Sequence, residues 1–124
     1  MEMSVVDNLN FCIFAYTRSI AILTNFLTDD IGSRNIKSMI NWLKNDKYKV
    51  TTLNYSYIRK HGEKIYIYFL YDSYGLEEHE KRERFETTKE ELIDVLKQWE
   101  SMVEDKKKNR IIIKKEGNDI LIKS

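Results

Sequence analysis

The sequence has few of the residues that mark special chemistry or special backbone geometry. Its 124 residues include no proline, one cysteine, two histidines and four glycines. Because Cys12 is the single cysteine, no internal disulfide can form, and the lack of proline excludes cis-proline turns and proline-rich linkers. No stretch approaches the ~18 apolar residues of a membrane span, and residues 11–16 lack the flanks of a signal peptide. We therefore expect a cytoplasmic protein that does not bind a membrane.

The scarcity of histidine, cysteine and glycine also weakens every argument for catalysis. His61 lies where a hairpin turn is predicted, and the glutamates around His79 form a solvated charge run without the firm ligand spacing of a zinc site. Cys12 lies in an apolar stretch, which is typical of a buried thiol and not of a nucleophile. No glycine-rich phosphate loop is present. We predict that the protein is not an enzyme and uses no metal or cofactor.

What is present is enough for one folded domain. Hydrophobic residues make up 42% of the chain and charged residues 33%, which is typical of a globular protein with a solvated surface. The length is that of one domain, and neither an internal repeat nor a low-complexity linker divides it. We predict a single domain that spans residues 1–124.

The clearest helix signal follows Phe85. Apolar residues recur there at the spacing of one helical face, namely Leu92, Val95, Leu96, Trp99, Met102 and Val103. Thr88 and Glu91 match a capping box, in which the threonine hydroxyl binds the third helical amide and the glutamate reaches back to the cap amide. We expect Phe85 to end a strand that leads into this helix.

Two further helices are predicted in the first half of the chain. Ile20, Leu23, Leu27 and Ile31 follow Ser19 at steps of three or four, and Asp29, Asp30 and Gly32 close this helix. Ser33 is the expected cap of the next helix, whose inner face carries Ile36, Met39, Ile40 and Leu43 with Trp42 at its margin. Before them, residues 9–16 are apolar on both alternating faces, which favours a central strand and leaves a buried helix open.

Strand signals are strongest in two hairpins. Residues 48–59 and 64–72 flank a turn at His61-Gly62, and this turn would pair positions that sum to 123, so that Tyr57 faces Tyr66 and Tyr55 faces Tyr68. One face is then a ladder of tyrosines, and the isoleucine-rich opposite face is expected to pack on the helices. Residues 110–114 and 120–123 flank a turn at residues 116–119 and predict a C-terminal β-hairpin.

Together these elements predict an α+β fold. We expect a mostly antiparallel sheet, two or three helices packed chiefly on one face, and the C-terminal β-hairpin. The predicted element order contains the βαββαβ order of the ferredoxin-like plan, in which RNA-recognition domains stack bases on sheet aromatics. The four tyrosines of the ladder make a small RNA-binding domain the alternative function. Against it, the second strand lacks the glycines of the RNP1 pattern, and the net charge is only +1.

The sequence from Phe85 onward resembles a known family. The pattern reads Phe85-x-Thr87-Thr88-x-Glu90-Glu91-Leu92, then Leu96-x-x-Trp99-Glu100, then the isoleucine-rich hairpin. It looks like the C-terminal half of small bacterial immunity proteins, which are paired with polymorphic or contact-dependent growth-inhibition toxins. The resemblance covers about forty residues. It implies a cytosolic protein that binds and neutralises a cognate toxin domain, often a nuclease.

The charge distribution suggests where such a partner would bind. Residues 76–105 hold five basic and eleven acidic side chains, and the glutamates that precede the helix are not explained by its dipole. An acidic surface with an aromatic anchor would cover the basic nucleic-acid cleft of a nuclease, with Tyr74 as the anchor. We predict partner contacts at Tyr74, Glu77, Glu78, Glu80, Glu83, Glu86 and Glu90.

Overall fold

The computed structural model describes residues 2–7, 14–15, 18–70, 83–104, 110–116 and 119–123. The helices are α1 (Arg18–Asn25), which continues into a π-helix (Phe26–Ile31), then α2 (Ile36–Lys44) and α3 (Lys89–Glu104). The strands are β1 (Glu2–Asp7), β2 (Phe14–Ala15), β3 (Val50–Thr52), β4 (Ser56–His61), β5 (Lys64–Phe69), β6 (Phe85–Thr88), β7 (Arg110–Glu116) and β8 (Asp119–Lys123). These elements confirm the predicted α+β class and the C-terminal β-hairpin.

The strands form two four-stranded sheets. The terminal sheet has the order β2-β1-β7-β8 and the central sheet has the order β3-β4-β5-β6. Every pairing is antiparallel, as predicted. The division into two sheets was not predicted, because no element was assigned to residues 2–7, and β1 joins the C-terminal hairpin through its pairing with β7.

The sheet order differs from the ferredoxin-like plan. That plan contains βαβ units, whose strands run parallel in one sheet. Here the central sheet is an antiparallel meander of consecutive strands, and α3 leads from β6 in one sheet to β7 in the other. The predicted ferredoxin-like arrangement is therefore wrong.

Both sheets and the helices contribute to one hydrophobic core. α1 contacts strands of both sheets, and α3 packs against α2 and against β5, β6 and β8. The apolar stripe of α3 is confirmed, since Leu92, Val95, Leu96 and Trp99 are buried and Met102 and Val103 pack against them half-buried. The Trp99 indole also donates a 2.8 Å hydrogen bond from Nε1 to the carbonyl of Gly32. Burying each such apolar side chain contributes roughly 1.5–3 kcal/mol.

The capping box at the start of α3 is half formed. The hydroxyl of Thr88 accepts a 3.1 Å hydrogen bond from the amide of Glu91, as predicted. The carboxylate of Glu91 does not reach back to the cap, however, because its Oε1 accepts a 3.1 Å bond from the amide of Ile120 on β8. Glu91 thus attaches the helix to the terminal hairpin. Phe85 begins the strand that leads into α3, whereas the sequence predicted that it would end one.

The ends of the first two helices are partly as predicted. Gly32 follows the π-helix with a φ of 53°, which confirms that the first helical segment closes there. Ser33 is not the cap of α2. The cap position is Asn35, which caps without its side chain and donates instead from Nδ2 to the carbonyl of Asp30 at 2.9 Å.

The β4–β5 hairpin has its predicted faces but a different register. His61 pairs with Lys64 and Tyr57 pairs with Tyr68, so paired positions sum to 125 and not to 123. Gly62 then takes the first central position of the turn with a φ of 62°, a position that the type I′ and II′ turns require to have positive φ. A shift of two residues keeps every side chain on its predicted face, and hydrophobic alternation therefore cannot detect it.

Two other predicted strands are changed. The continuous strand at residues 48–59 is a β3–β4 hairpin, with Asn54 and Tyr55 between Leu53 and Ser56 and a 2.8 Å bond from the Leu53 amide to the Ser56 carbonyl. The predicted central strand at residues 9–16 is represented by β2, which lies at the edge of the terminal sheet. The rest of that stretch, including Cys12, lies outside the described residues.

A candidate protein-binding surface on the central sheet

The central sheet turns one face to the core and the opposite face outwards. Ile58, Ile65 and Ile67 occupy the core face and are fully buried. We name the opposite side the tyrosine face, because the strand pairing places on it Val50, Thr52, Tyr57, Arg59, Lys64, Tyr66, Tyr68 and Glu86. Three tyrosines of the predicted ladder, Tyr57, Tyr66 and Tyr68, therefore lie on this face with a shifted register, whereas Tyr55 lies in the β3–β4 turn.

The tyrosines on this face do not form an open stacking platform. Tyr68 is only 2% exposed, and its ring lies 5.8 Å from that of the half-buried Tyr57 between centroids. Tyr66 is half-buried, with the guanidinium carbon of Arg84 5.2 Å from its ring centroid. Bases stack on exposed aromatic faces, and this arrangement offers few of them. The structure thus gives no support to the RNA-binding alternative.

Glu86 is one of the predicted acidic contact residues, and it lies on the tyrosine face. It pairs across the sheet with Tyr66, and its carboxylate lies 3.7 Å from Lys64 Nζ and 3.7 Å from an Arg84 nitrogen. Its side chain remains 46% exposed, and exposed ion pairs of this kind contribute about 0–1 kcal/mol. Glu86 is therefore accessible, but its charge is compensated within the chain.

Two of the other predicted contact residues, Glu83 and Glu90, belong to the described part of the chain. Glu83 is exposed just before β6, and Glu90 is exposed in the first turn of α3, where it borders a different depression from Glu86. The groove beside Glu86 also contains Lys64 and Lys115, so its charge is mixed. Tyr74, Glu77, Glu78 and Glu80 lie outside the described residues.

A site that the sequence analysis missed lies at the β3 edge of this sheet. Among the described residues, three large hydrophobic side chains are exposed, namely Tyr48 (52%), Val50 (50%) and Tyr55 (44%). All three lie within eight consecutive residues on or beside β3. Scattered exposed apolar residues are normal, but a local group of them marks interaction surfaces. In the sequence, these three residues belong to the predicted strand at residues 48–59, and a strand pattern by itself does not show which of its apolar side chains stay exposed.

A buried lysine positions the segment that carries Tyr48. Lys60 is 5% exposed, and its Nζ donates to the carbonyls of Trp42 and Asn45, both at 2.6 Å. The same ammonium lies 3.9 Å from the centroid of the Trp42 ring. The charge therefore caps the C-terminal end of α2, where the helix dipole is negative. Burial is the main cause that lowers the pKa of Lys60 below its usual range, with the charge of nearby Lys89 adding to it.

An ion pair ties the same segment to α3. Asp46 lies between α2 and β3, and its Oδ1 accepts a 2.8 Å hydrogen bond from Lys89 Nζ at the start of α3. That bond lowers the pKa of Asp46 and raises the pKa of Lys89. The start of the segment at residues 45–49 is thereby connected to β4 and to α3, and its end is connected to β4 by the 2.7 Å bond from the Lys60 amide to the Lys49 carbonyl.

Asp30 holds the turn at the other end of β3. Its carboxylate is buried, and Oδ1 accepts a 3.0 Å hydrogen bond from the amide of Tyr55. Burial raises the pKa of Asp30 above its usual range, while donors of Ser56, Tyr55 and Asn54 oppose that rise. The second oxygen, Oδ2, is buried without a well-formed hydrogen bond from any residue that the structure describes. The π-helix thus supplies the group that fixes the β3–β4 turn.

Comparison of the chain with protein-family models, with curated proteins and with solved structures finds no match. Within the described ranges, no three His, Cys, Asp or Glu side chains are grouped as metal ligands. None of the helices in those ranges is long and apolar enough to cross a membrane. The candidate functional site in the described part of the chain is the surface formed by β3 and the tyrosine face.

Proposed function

We propose that this chain is an immunity protein that binds and neutralises a cognate bacterial toxin domain, without catalysis or cofactor. The observation that carries the protein-binding part of this proposal is the group of exposed apolar side chains at β3, since Tyr48, Val50 and Tyr55 are each at least 44% exposed. The toxin as partner comes from the resemblance of the chain after Phe85 to immunity proteins.

The composition of this surface suits a protein partner. Tyrosine and arginine are enriched at interfaces, because they combine rigid contact area with polar groups. Tyr48 precedes Val50 by two residues, and Arg59 on β4 is the cross-strand partner of Val50. These three residues supply an apolar centre with a cationic neighbour, and Glu86 lies on the same face on β6, which β4 and β5 separate from β3.

Neutralisation would follow from occlusion. A stable protein complex buries about 800 Å² on each partner, which is enough to cover the active-site cleft of a small toxin domain. The inhibitor needs no chemistry of its own, because a bound protein excludes the substrate. The predicted acidic residues around Glu78 and Glu80 would serve the same end if the toxin cleft is basic.

The test uses the reading frame directly upstream of this gene, whose C-terminal domain is the expected toxin. Co-expression should restore growth, and titration calorimetry should give a one-to-one complex. Tyr48→Ala should weaken the complex by at least tenfold, which corresponds to about 1.4 kcal/mol. Tyr48→Phe, which keeps the ring, and Lys37→Ala, on the exposed side of α2, should leave affinity within about threefold, a change below 1 kcal/mol.

Two outcomes would contradict this assignment. A folded protein that neither binds the upstream domain nor protects growth would remove the toxin as partner. Unchanged affinity of Tyr48→Ala would move the contact away from β3. Glu78→Lys combined with Glu80→Lys should weaken the complex by more than tenfold if the predicted acidic residues take part, so the two variants compare the two surfaces directly.

A further inference from the structure

The strand β3 is an edge of the central sheet among the strands that the structure describes. An edge strand carries a row of backbone groups that can pair with another chain. β3 pairs with β4 on one side, and the hydrogen bonds at its two ends show which residues turn towards β4. The Lys60 amide donates to the Lys49 carbonyl at 2.7 Å, and the Leu53 amide donates to the Ser56 carbonyl.

The alternation of an antiparallel ladder then assigns the groups at the open side. Residues 49, 51 and 53 face β4, so Val50 and Thr52 direct their N–H and C=O groups away from the sheet. Both side chains are exposed on the tyrosine face. The open side of β3 is thus a short strand edge whose backbone groups have no partner among the described residues, with an apolar side chain beside them.

Basic side chains outnumber acidic ones around this edge. Lys44, Lys47 and Lys49 are exposed, and none of them has an acidic group within 4.0 Å among the described residues. Asp46 is the acidic residue nearest in sequence, and its carboxylate is engaged by Lys89. A partner that approaches the open side therefore meets uncompensated positive charge.

The two sides of the extended segment carry different kinds of side chain, and this difference indicates the chemistry of the partner. Lys49 and Val50 are consecutive extended residues, so an ammonium group lies on one side of the segment and an apolar group on the other. Lys47 lies in the preceding turn, with its Nζ 5.5 Å from the centroid of the Tyr48 ring. A strand that pairs with β3 would place its own alternating side chains on these two sides. The complementary sequence is therefore apolar at every second position and acidic between.

We propose that β3 is a strand-addition site, at which an extended segment of a protein partner with alternating apolar and acidic residues joins the central sheet. Backbone hydrogen bonds to Val50 and Thr52 would provide the affinity, and the lysines would select the acidic sequence. A second copy of this chain is disfavoured as the occupant, because pairing β3 with itself would place like charges together. The inference rests on the proposed function only for the identity of the partner.

The experiment uses the intact protein labelled with ¹⁵N and two short acetylated peptides. One alternates valine with glutamate, and in the other lysine replaces each glutamate. The valine–glutamate peptide should shift the amide signals of Val50 and Thr52 and slow their exchange with solvent. The lysine peptide should not. Binding should weaken as salt rises, because screening at 0.1 M acts over about 10 Å.

Three variants separate backbone pairing from charge. Val50→Pro removes an N–H that points away from the sheet, and proline is tolerated on strand edges, so the fold should survive while peptide affinity falls about fivefold or more. Val50→Thr keeps the amide and the branched side chain and should bind within about twofold of the original protein. Lys47→Glu with Lys49→Glu should reverse the preference between the two peptides.

Several results would overturn strand addition at β3. These are no shift at Val50 or Thr52 at about 1 mM valine–glutamate peptide, equal binding of both peptides, or unchanged binding by Val50→Pro. A self-associated protein in sedimentation, or tighter binding of oligouridylate than of the peptide, would assign the edge to another occupant. No toxin is present in this assay, so its failure is distinct from a failure of growth protection.

Discussion

The start of α3 and the edge strand β3 both carry dense charge, yet they differ in how that charge is compensated. At the start of α3, Glu86 is paired with Lys64 and Arg84, and Glu91 accepts the amide of Ile120. Around β3, the exposed lysines have no acidic partner among the described residues, and apolar side chains lie beside them.

A count of charges along the sequence does not show which of those charges are paired after folding. The count pointed to residues 76–105, where the excess of acidic side chains is largest. In the folded chain, part of that charge is used to complement a helix dipole and to bind neighbouring strands. A surface is available to a partner where charge and apolar area remain uncompensated after folding, as they do at β3.

The largest effect on stability is expected from Lys60→Ala, which would disrupt the region around β3 and not the start of α3. The substitution removes the ammonium donor of the Trp42 and Asn45 carbonyls, leaves Trp42 with only the 3.2 Å bond from the Asn45 amide, and removes the contact with the Trp42 ring. We expect a loss of about 2–3 kcal/mol in the free energy of unfolding, measured by urea denaturation. Lys60→Met keeps the aliphatic stem and should lose less. A loss for Lys60→Ala within the range of the exposed control Lys49→Ala would contradict the capping role.

A smaller effect is expected at the start of α3, where two glutamates can be compared. Glu91→Ala removes the acceptor of the Ile120 amide and a favourable charge in the first turn, so we expect a loss of about 1–2 kcal/mol. Glu86→Ala removes only exposed ion pairs and should change stability by less than about 0.5 kcal/mol. Equal losses for the two variants would show that the hydrogen bond to β8 does not matter.

The smallest effect concerns the turn that Asp30 holds, and it depends on pH. The pKa of Asp30 is raised, so between 3.8 and its folded value the native state keeps a proton that the unfolded chain has lost. Native-state stability therefore falls as pH rises through that window. Asp30→Asn keeps an acceptor for the Tyr55 amide without the buried charge.

We expect Asp30→Asn to be more stable than the original protein at pH 7, with the difference shrinking as the pH falls towards 3.8. Thermal unfolding at several pH values measures this. A pH-independent difference would mean that Asp30 is not the group that titrates. Asp119→Asn, which changes an exposed carboxyl on β8, is the control.

Local patterns were sufficient where a residue's role depends on its near neighbours in the chain. The apolar stripe of α3, the Thr88 cap and the two faces of the β4–β5 hairpin follow from helical and strand periodicity. The α+β class and the terminal hairpin follow from the same signals. The predicted register was wrong by two residues, because such a shift leaves both faces unchanged and only the turn geometry at Gly62 distinguishes the two.

The sequence alone therefore established the class of the fold, the core stripe of α3 and the sides of the hairpin, because these depend on spacings of two to four residues. Tertiary structure decided the pairing of β1 with β7, the use of Glu91 to bind β8 and the burial of Lys60 beneath α2. Each of these joins residues distant in sequence, and no local pattern selects between such partners. The candidate site at β3 belongs to the second group, since its exposure and its uncompensated charge exist only after the rest of the chain has packed.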